Sequence, residues 1–222
     1  MTIESIPVIA IDGPSASGKG TIAQLVAAEL GFNYLDSGAL YRIVAFSALQ
    51  RKIPWHEESL LAEMIQTLKI KFLNGKVLLN DQDISEEIRT EAISKGASEV
   101  AVHPKVRNAL IDLQHSFRQA PGLVADGRDM STVVFPDART KIFLTATAEV
   151  RAKRRYNQLM SKGIYANLDL ILQDLRQRDE RDQQRTAAPL TISADAKLLE
   201  TDNLSIEQAV NAVIQYNSSI QT

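Results

Sequence analysis

The 222-residue chain contains no cysteine, which excludes disulfides, thiol nucleophiles and Cys-ligated zinc. Its three histidines, His56, His103 and His115, stand too far apart to form a metal-ligand cluster. The one tryptophan, Trp55, reads as lobe packing rather than as a base-stacking platform. No apolar run approaches the roughly 20 residues that a membrane helix needs. The opening MTIESIPVIAIDG has neither a basic region nor an apolar stretch long enough for a secretion signal. A cytoplasmic protein with no membrane partner is therefore expected. A surplus of either charge is also missing. The 25 basic and 27 acidic residues leave a net charge of −2, with no overall pull toward nucleic acid or anionic lipid. Internal repeats, low-complexity tracts and long linkers are absent too.

What is present is ordinary globular material: 45% apolar and 23% charged residues, in a chain long enough for one large domain or a core with small inserts. The short apolar run VIAI (Val8 to Ile11) has the pattern of a strand buried on both faces of a parallel sheet. IAQLVAAEL follows as a helix stopped by Gly31, then FNYLD as a strand and GALYRIVAFSALQRK as a helix. GLVADG, KIFLTA and KLLETD read as further strands, and SIEQAVNAVIQY as a last helix. Strands alternating with helices predict an α/β fold with a parallel sheet and right-handed crossovers.

Two stretches break the alternation. Lys69 to Asn80 predicts an antiparallel hairpin turning at Asn74-Gly75, most simply a small inserted lobe. Arg151 to Arg185 holds nine basic and five acidic residues, a local surplus of four, so the remainder carries −6. An anionic ligand is expected there.

GPSASGKGT spaces Gly13, Gly18 and Lys19 as a phosphate loop, with a strand before it and a helix after it. Glycines let the backbone bend until its N–H groups converge on phosphate oxygens. The following helix adds free N–H groups and the positive end of its dipole. Lys19 supplies a point charge for the β- and γ-phosphates. Gly20 stands where the motif usually has Ser or Thr, and the hydroxyl comes one residue later, at Thr21. An Asn-Lys-x-Asp guanine-reading motif is absent, which counts against a GTPase switch.

Arg178, Arg181, Asp182 and Arg185 fall within one helical face about 100° wide, as do Arg151, Arg154 and Arg155 upstream. Such faces can be merely solvated. Beside a phosphate loop, they also suit neutralising the charge of a moving phosphoryl group and closing over it. LDSGALYR places Ser37 and Arg42 at the start of a helix, where Arg42 can grip a second phosphate. VADGRD ends a strand with Asp126 suited to hold Mg²⁺ through water, Arg128 to bind phosphate and Asp129 to accept from an exocyclic amine. His103, just before Pro104, reads as a helix-start residue rather than a base.

The segments IDGPSASGKGT, LDSGALYR, DGRDMSTVVFP and RDERDQQRTAAPL, in this order, resemble the bacterial cytidylate kinases, nucleoside monophosphate kinases of the phosphate-loop superfamily. The resemblance implies a P-loop NTPase-type parallel five-stranded core flanked by helices, with an inserted monophosphate-binding lobe and a short Arg-rich lid. It implies transfer of the γ-phosphoryl group of ATP to CMP or dCMP. Gly13, Pro14, Ser15, Ala16, Ser17, Gly18, Lys19, Gly20 and Thr21 would cradle ATP. Ser37, Arg42 and Arg128 would surround the CMP site, while Ser98, Arg107 and Asp129 would contact the cytosine. Arg178, Asp182 and Arg185 would approach the acceptor sugar and phosphate from the lid side. Catalysis would then fall to Lys19, Arg128, Arg178, Asp182 and Arg185, with Mg²⁺ held through water by Thr21 and Asp126. Ser131 stands where the family usually has glycine.

The expected organisation is a core over 1–62, 103–150 and 187–222, a lobe over 63–102 and a lid over 151–186, in a chain acting as a monomer on ATP and CMP or dCMP. Two other readings stay open. One is a phosphate-loop kinase acting on UMP or a small metabolite. The other is a nucleic-acid-binding ATPase, against which Asp179, Glu180 and Asp182 interleave with the arginines.

Overall fold

All five residues of β1 (Val8–Asp12) are buried, as a central parallel strand covered on both faces requires. The computed structural model describes residues 6–73, 76–161 and 163–220. In it, β1 pairs in parallel with β6 (Leu123–Gly127) on one side and with β7 (Thr140–Thr145) on the other. With β2 (Asn33–Asp36) and β8 (Lys197–Glu200), these strands form an all-parallel sheet in the order β2-β6-β1-β7-β8. The α/β expectation holds. Ile9, Ile11, Val124, Ile142 and Leu144 form the core with residues of two helices. These are α1 (Lys19–Leu30), through Ile22 and Val26, and α8 (Ile206–Ile220), through Val210 and Val213. Each such buried aliphatic contributes about 1.5–3 kcal/mol. Gly31 ends α1 in the left-handed region at φ 66°, with its N–H donating back to Ala27 and Ala28.

The chain divides into two compact units, 36–115 and the remainder. In unit 36–115, the Asp36 side chain caps α2 (Ser37–Gln50) by accepting from the Ala39 N–H at 2.9 Å. After α3 (Glu58–Ile65) comes a three-stranded antiparallel sheet of β3 (Ile70–Leu73), β4 (Lys76–Leu79) and β5 (Gln82–Asp83). The two arms of the expected hairpin pair, while the Asn74-Gly75 turn lies outside the described residues. A third strand of two residues is too short to leave a periodic signal. α4 (Glu91–Val100) packs on α2, and α5 (Pro104–Ser116) starts with proline at its first helical position.

This unit is wider than the 63–102 expected for a lobe, because α2 supplies the face on which α4 packs. Trp55 belongs to that packing. Its Nε1 donates to the Ala45 carbonyl at 3.0 Å, and a Cβ added to Gly96 would lie 2.4 Å from its ring. His103 accepts the Arg107 N–H at its carbonyl, in the first turn of α5.

The expected lid maps onto α6 (Ala148–Ser161) and α7 (Leu168–Gln184), which pack together in the larger unit. One expectation fails here. Arg185 does not share the helical face of Arg178, Arg181 and Asp182, because α7 ends at Gln184 and Arg185 turns extended at ψ 138°. Its N–H still donates to the Arg181 carbonyl at 3.1 Å, so it is the helix's capping residue. Among the described residues, no helix is long and apolar enough to cross a membrane.

Candidate active site

In the larger unit, the chain leaves β1 through Gly13. A Cβ there would fall 2.0 Å from the Leu144 carbonyl oxygen of β7, so only glycine fits this exit. Gly18 at φ 92° then caps α1 without a side-chain cap hydrogen bond, and its carbonyl accepts from the Ile22 N–H at 3.1 Å. Lys19 is buried and its Nζ donates to the Pro14 carbonyl at 3.2 Å. The Ser17 hydroxyl is buried without a hydrogen-bonding partner among the described residues, which costs about 1–3 kcal/mol unless a ligand satisfies it. Two arginines of α6 hold carbonyls of the same loop. Arg151 Nη1 donates to Ser15 O at 3.0 Å, and Arg154 Nη1 to Ser17 O at 3.3 Å. Carbonyls that would repel an anion are thereby engaged by cations.

Beside the loop, β6 ends in a cluster of alternating charge. Arg128 donates from Nη2 to Ser15 Oγ at 2.7 Å and from Nε to Asp182 Oδ2 at 2.6 Å. Arg185 Nη2 lies 3.9 Å from Asp129 Oδ1 with both side chains buried, and its Nη1 lies 4.0 Å from Asp182. Arg151 pairs with Asp179 at 2.6 Å, and Arg178 with Asp174 at 2.9 Å. Burial pushes the Asp182 carboxyl up, but the charge and hydrogen bond of Arg128 outweigh it, with Arg185 and Lys19 adding, and hold the acid below its usual range. Burial likewise works against the Arg128 cation, which Asp182, with Asp126 and Asp179 adding, more than offsets.

Above Gly20, the Tyr34 hydroxyl donates to Asp126 Oδ1 at 2.6 Å. A Cβ on Gly20 would lie 3.7 Å from that hydroxyl and 4.0 Å from Asp126 Oδ2. Oxygen groups from β2 and β6 thus border the space where the loop itself lacks a hydroxyl. Thr21 is exposed on α1. Among the described residues, no three His, Asp or Glu gather. The oxygen donors that are present, the Asp126 carboxylate and the Tyr34 hydroxyl, are of the type that suits a hard cation such as Mg²⁺.

Unit 36–115 carries its own polar group. Ser37 Oγ donates to Gln114 Oε1 at 2.8 Å in a buried position. Arg107 is buried with its guanidinium carbon 5.5 Å from the Tyr41 ring centroid, and its Nη1 donates to Ala101 O at 3.1 Å. Arg42 lies 3.7 Å from Asp36, and Ser98 Oγ donates to Ser94 O at 3.4 Å.

The cytidylate kinase family profile matches residues 9–219. The chain belongs to the cytidylate kinase family. It is 56% identical to a cytidylate kinase of Polynucleobacter asymbioticus over 98% of this chain and 99% of that one. It is also 56% identical to a cytidylate kinase of Paraburkholderia xenovorans, over 96% and 94% of the two chains. The solved structure of an Eubacterium ventriosum protein, 14% identical, aligns with a TM-score of 0.51 over 96% of this chain and 99% of that one, a likeness of fold alone.

In this family member, the larger unit brings together the phosphate loop, Asp126, Arg128, Asp129, Asp182 and Arg185. Arg178 is engaged within its own helix by Asp174. Ser37, Arg42, Ser98 and Arg107 belong to the other unit. Sequence reasoning missed Asp12, Tyr34, Tyr41 and Gln114, and it missed what Arg151 and Arg154 hold. The three-residue spacing of those arginines marked a basic face without naming its target. Tyr41 adjoins Arg42 in LDSGALYR, the one local hint of an aromatic seat for a guanidinium.

Proposed function

We propose that the chain transfers the γ-phosphoryl group of ATP to CMP or dCMP. An acceptor phosphate oxygen bonds to the γ-phosphorus while its bond to the β–γ bridging oxygen breaks, giving ADP and CDP or dCDP. That acceptor oxygen is already anionic near neutral pH, so no side chain needs to remove a proton. The observation that carries the reading is Arg128, whose one guanidinium joins Ser15 of the phosphate loop to Asp182 of α7. A cation so placed suits a negative group passing between donor and acceptor.

In this reading, the loop amides and Lys19 hold the donor phosphates, and the Ser17 hydroxyl gains its missing partner there. Ser37, Arg42, Ser98 and Arg107 bind the acceptor, with Asp129, Arg178, Asp182 and Arg185 completing its surroundings. Asp129 as an acceptor beside Arg185 suits cytosine, which offers an N4 donor next to N3 and O2 acceptors. Uracil would turn O4 toward the carboxylate. Asp126 and Thr21 would hold Mg²⁺ through water, and the ion would supply positive charge to the phosphate oxygens. The lid arginines Arg151 and Arg154 act one step back, on the loop carbonyls.

The test is a panel of CMP, dCMP, UMP, AMP and duplex DNA with ATP and Mg²⁺, followed by ADP release. Turnover with CMP and dCMP above the other acceptors is expected. Equal or faster turnover with UMP would overturn the base assignment, and ADP release dependent on DNA would overturn the reading as a whole.

A further inference from the structure

We propose that Asp12 is a positioning residue that sets the Arg128–Asp129 dipeptide from both of its ends. The β1–β6 ladder places Asp12 opposite Gly127, so the residue before the dipeptide is fixed beside the Asp12 backbone. On the far side, the Asp12 carboxylate accepts three hydrogen bonds. Met130 N donates to Oδ1 at 2.8 Å, Ser131 N to Oδ2 at 2.8 Å and Ser131 Oγ to Oδ2 at 2.6 Å. Only two residues span these anchors, and they are the two that face Ser15, Asp182 and Arg185. The Asp129 carbonyl is occupied as well, accepting from Val133 N at 2.9 Å and Val134 N at 3.1 Å in the π-helical turn Met130–Val134.

The chemistry of the anchor requires a carboxylate. Two consecutive amides and a hydroxyl are three donors converging on one side chain. A carboxylate has two accepting oxygens, whereas asparagine has one and would turn its own N–H toward a donor. The cost of this arrangement is plain. Asp12 is fully buried, and burial, with the nearby Asp129 charge adding, raises its carboxyl above the usual range although the three donors pull it down. An apolar residue at this strand end would pack with less penalty, so a buried acid here is better explained by what it holds in place. Ser131 fits the same account. Its hydroxyl is the third donor, and it is itself buried.

The inference rests on the proposed acceptor reading, and its test separates the two. Binding of CMP, UMP and ATP to the wild-type protein, Asp12→Asn and Ser131→Ala is measured by calorimetry. Hydrogen exchange of the Met130 and Ser131 amides is followed alongside. Asp12→Asn is expected to weaken CMP binding about ten-fold or more and to narrow the CMP-to-UMP ratio, with ATP binding changed less than about three-fold. Ser131→Ala, which removes one donor and should leave the fold intact, is expected to weaken CMP about two- to five-fold. In Asp12→Asn both amides should exchange faster. Equal losses for ATP and CMP, or an unchanged CMP-to-UMP ratio in a folded Asp12→Asn, would overturn the inference. If Asp12→Asn does not fold, unchanged CMP binding by Ser131→Ala overturns it. Wild-type protein that fails to bind CMP would overturn the acceptor reading instead, while the amide exchange would still decide whether Asp12 anchors the turn.

Discussion

The Tyr34 hydroxyl and the Asp126 carboxylate, on neighbouring strands β2 and β6, share a 2.6 Å hydrogen bond beside Gly20. A charge-assisted bond of this kind is worth about 1.5–3 kcal/mol, and it holds the Asp126 carboxylate in one orientation through Oδ1. Tyr34→Phe should therefore raise the Mg²⁺ concentration needed for half-maximal ATP binding about ten-fold. Turnover at saturating Mg²⁺ should change little. A Mg²⁺ titration of nucleotide binding measures this directly, and an unchanged midpoint would remove Tyr34 from the metal's surroundings.

Lys19 is the buried cation of the loop, held at 3.2 Å by the Pro14 carbonyl. Lys19→Ala should lower kcat by about 10²-fold or more, since the lost charge acts mainly on the transition state. Circular dichroism should be unchanged. Near-normal turnover would refute its part in phosphate binding.

Asp129 and Arg185, both buried and 3.9 Å apart, make the base-reading claim testable. Asp129→Ala should reduce kcat/KM for CMP about ten-fold more than for UMP, because a site built to accept from an amine loses most with the ligand that offers one. Parallel initial-rate measurements with both acceptors decide it. Equal losses would assign Asp129 to holding Arg185 rather than to reading the base.

How far the sequence reached follows from the range of each signal. The strand VIAI, the glycine-lysine loop and the helix after it are spelled out by adjacent residues, and β1, the loop and α1 stand where the pattern put them. Periodicity then misled at Arg185, because a face counted at helical spacing says nothing of where the helix stops, and the chain turns extended there. The anchoring of Ser131 by Asp12 joins residues 119 positions apart, and the Tyr34–Asp126 bond joins residues 92 apart. Neither partner looks unusual in its own neighbourhood. The unit 36–115 exceeded the expected lobe for the same reason, since the packing of α4 on α2 has no local signature.

Gly13 offers a test of the loop's root. Its added Cβ would meet backbone, the Leu144 carbonyl oxygen at 2.0 Å, so no side-chain rotation can relieve the overlap. Gly13→Ala should cost about 3 kcal/mol or more, a fall of roughly 6–12 °C in Tm for a chain of this size. Gly31→Ala makes the control. That glycine also has positive φ, but nothing lies within 4 Å of its Cβ position, so only backbone strain of about 1 kcal/mol is expected. Thermal melts in which the two variants lose the same stability would contradict the close approach of the loop to β7.

The Arg128–Asp182 pair links stability to pH. Both side chains are largely buried, so breaking the pair with Asp182→Asn takes from Arg128 its hydrogen-bonded countercharge, at a cost of about 3 kcal/mol. The folded protein holds the Asp182 carboxyl below its usual value, so the unfolded chain takes up the proton first as pH falls. The pair's stabilisation is therefore complete above the ordinary carboxylate range near pH 4, and it drains away as pH drops further through the depressed folded value. Denaturant unfolding of wild type and Asp182→Asn should show a constant gap from about pH 5 to 8 that narrows below about pH 4. A gap that widened on acidification would mean that burial, and not the Arg128 cation, governs this carboxyl.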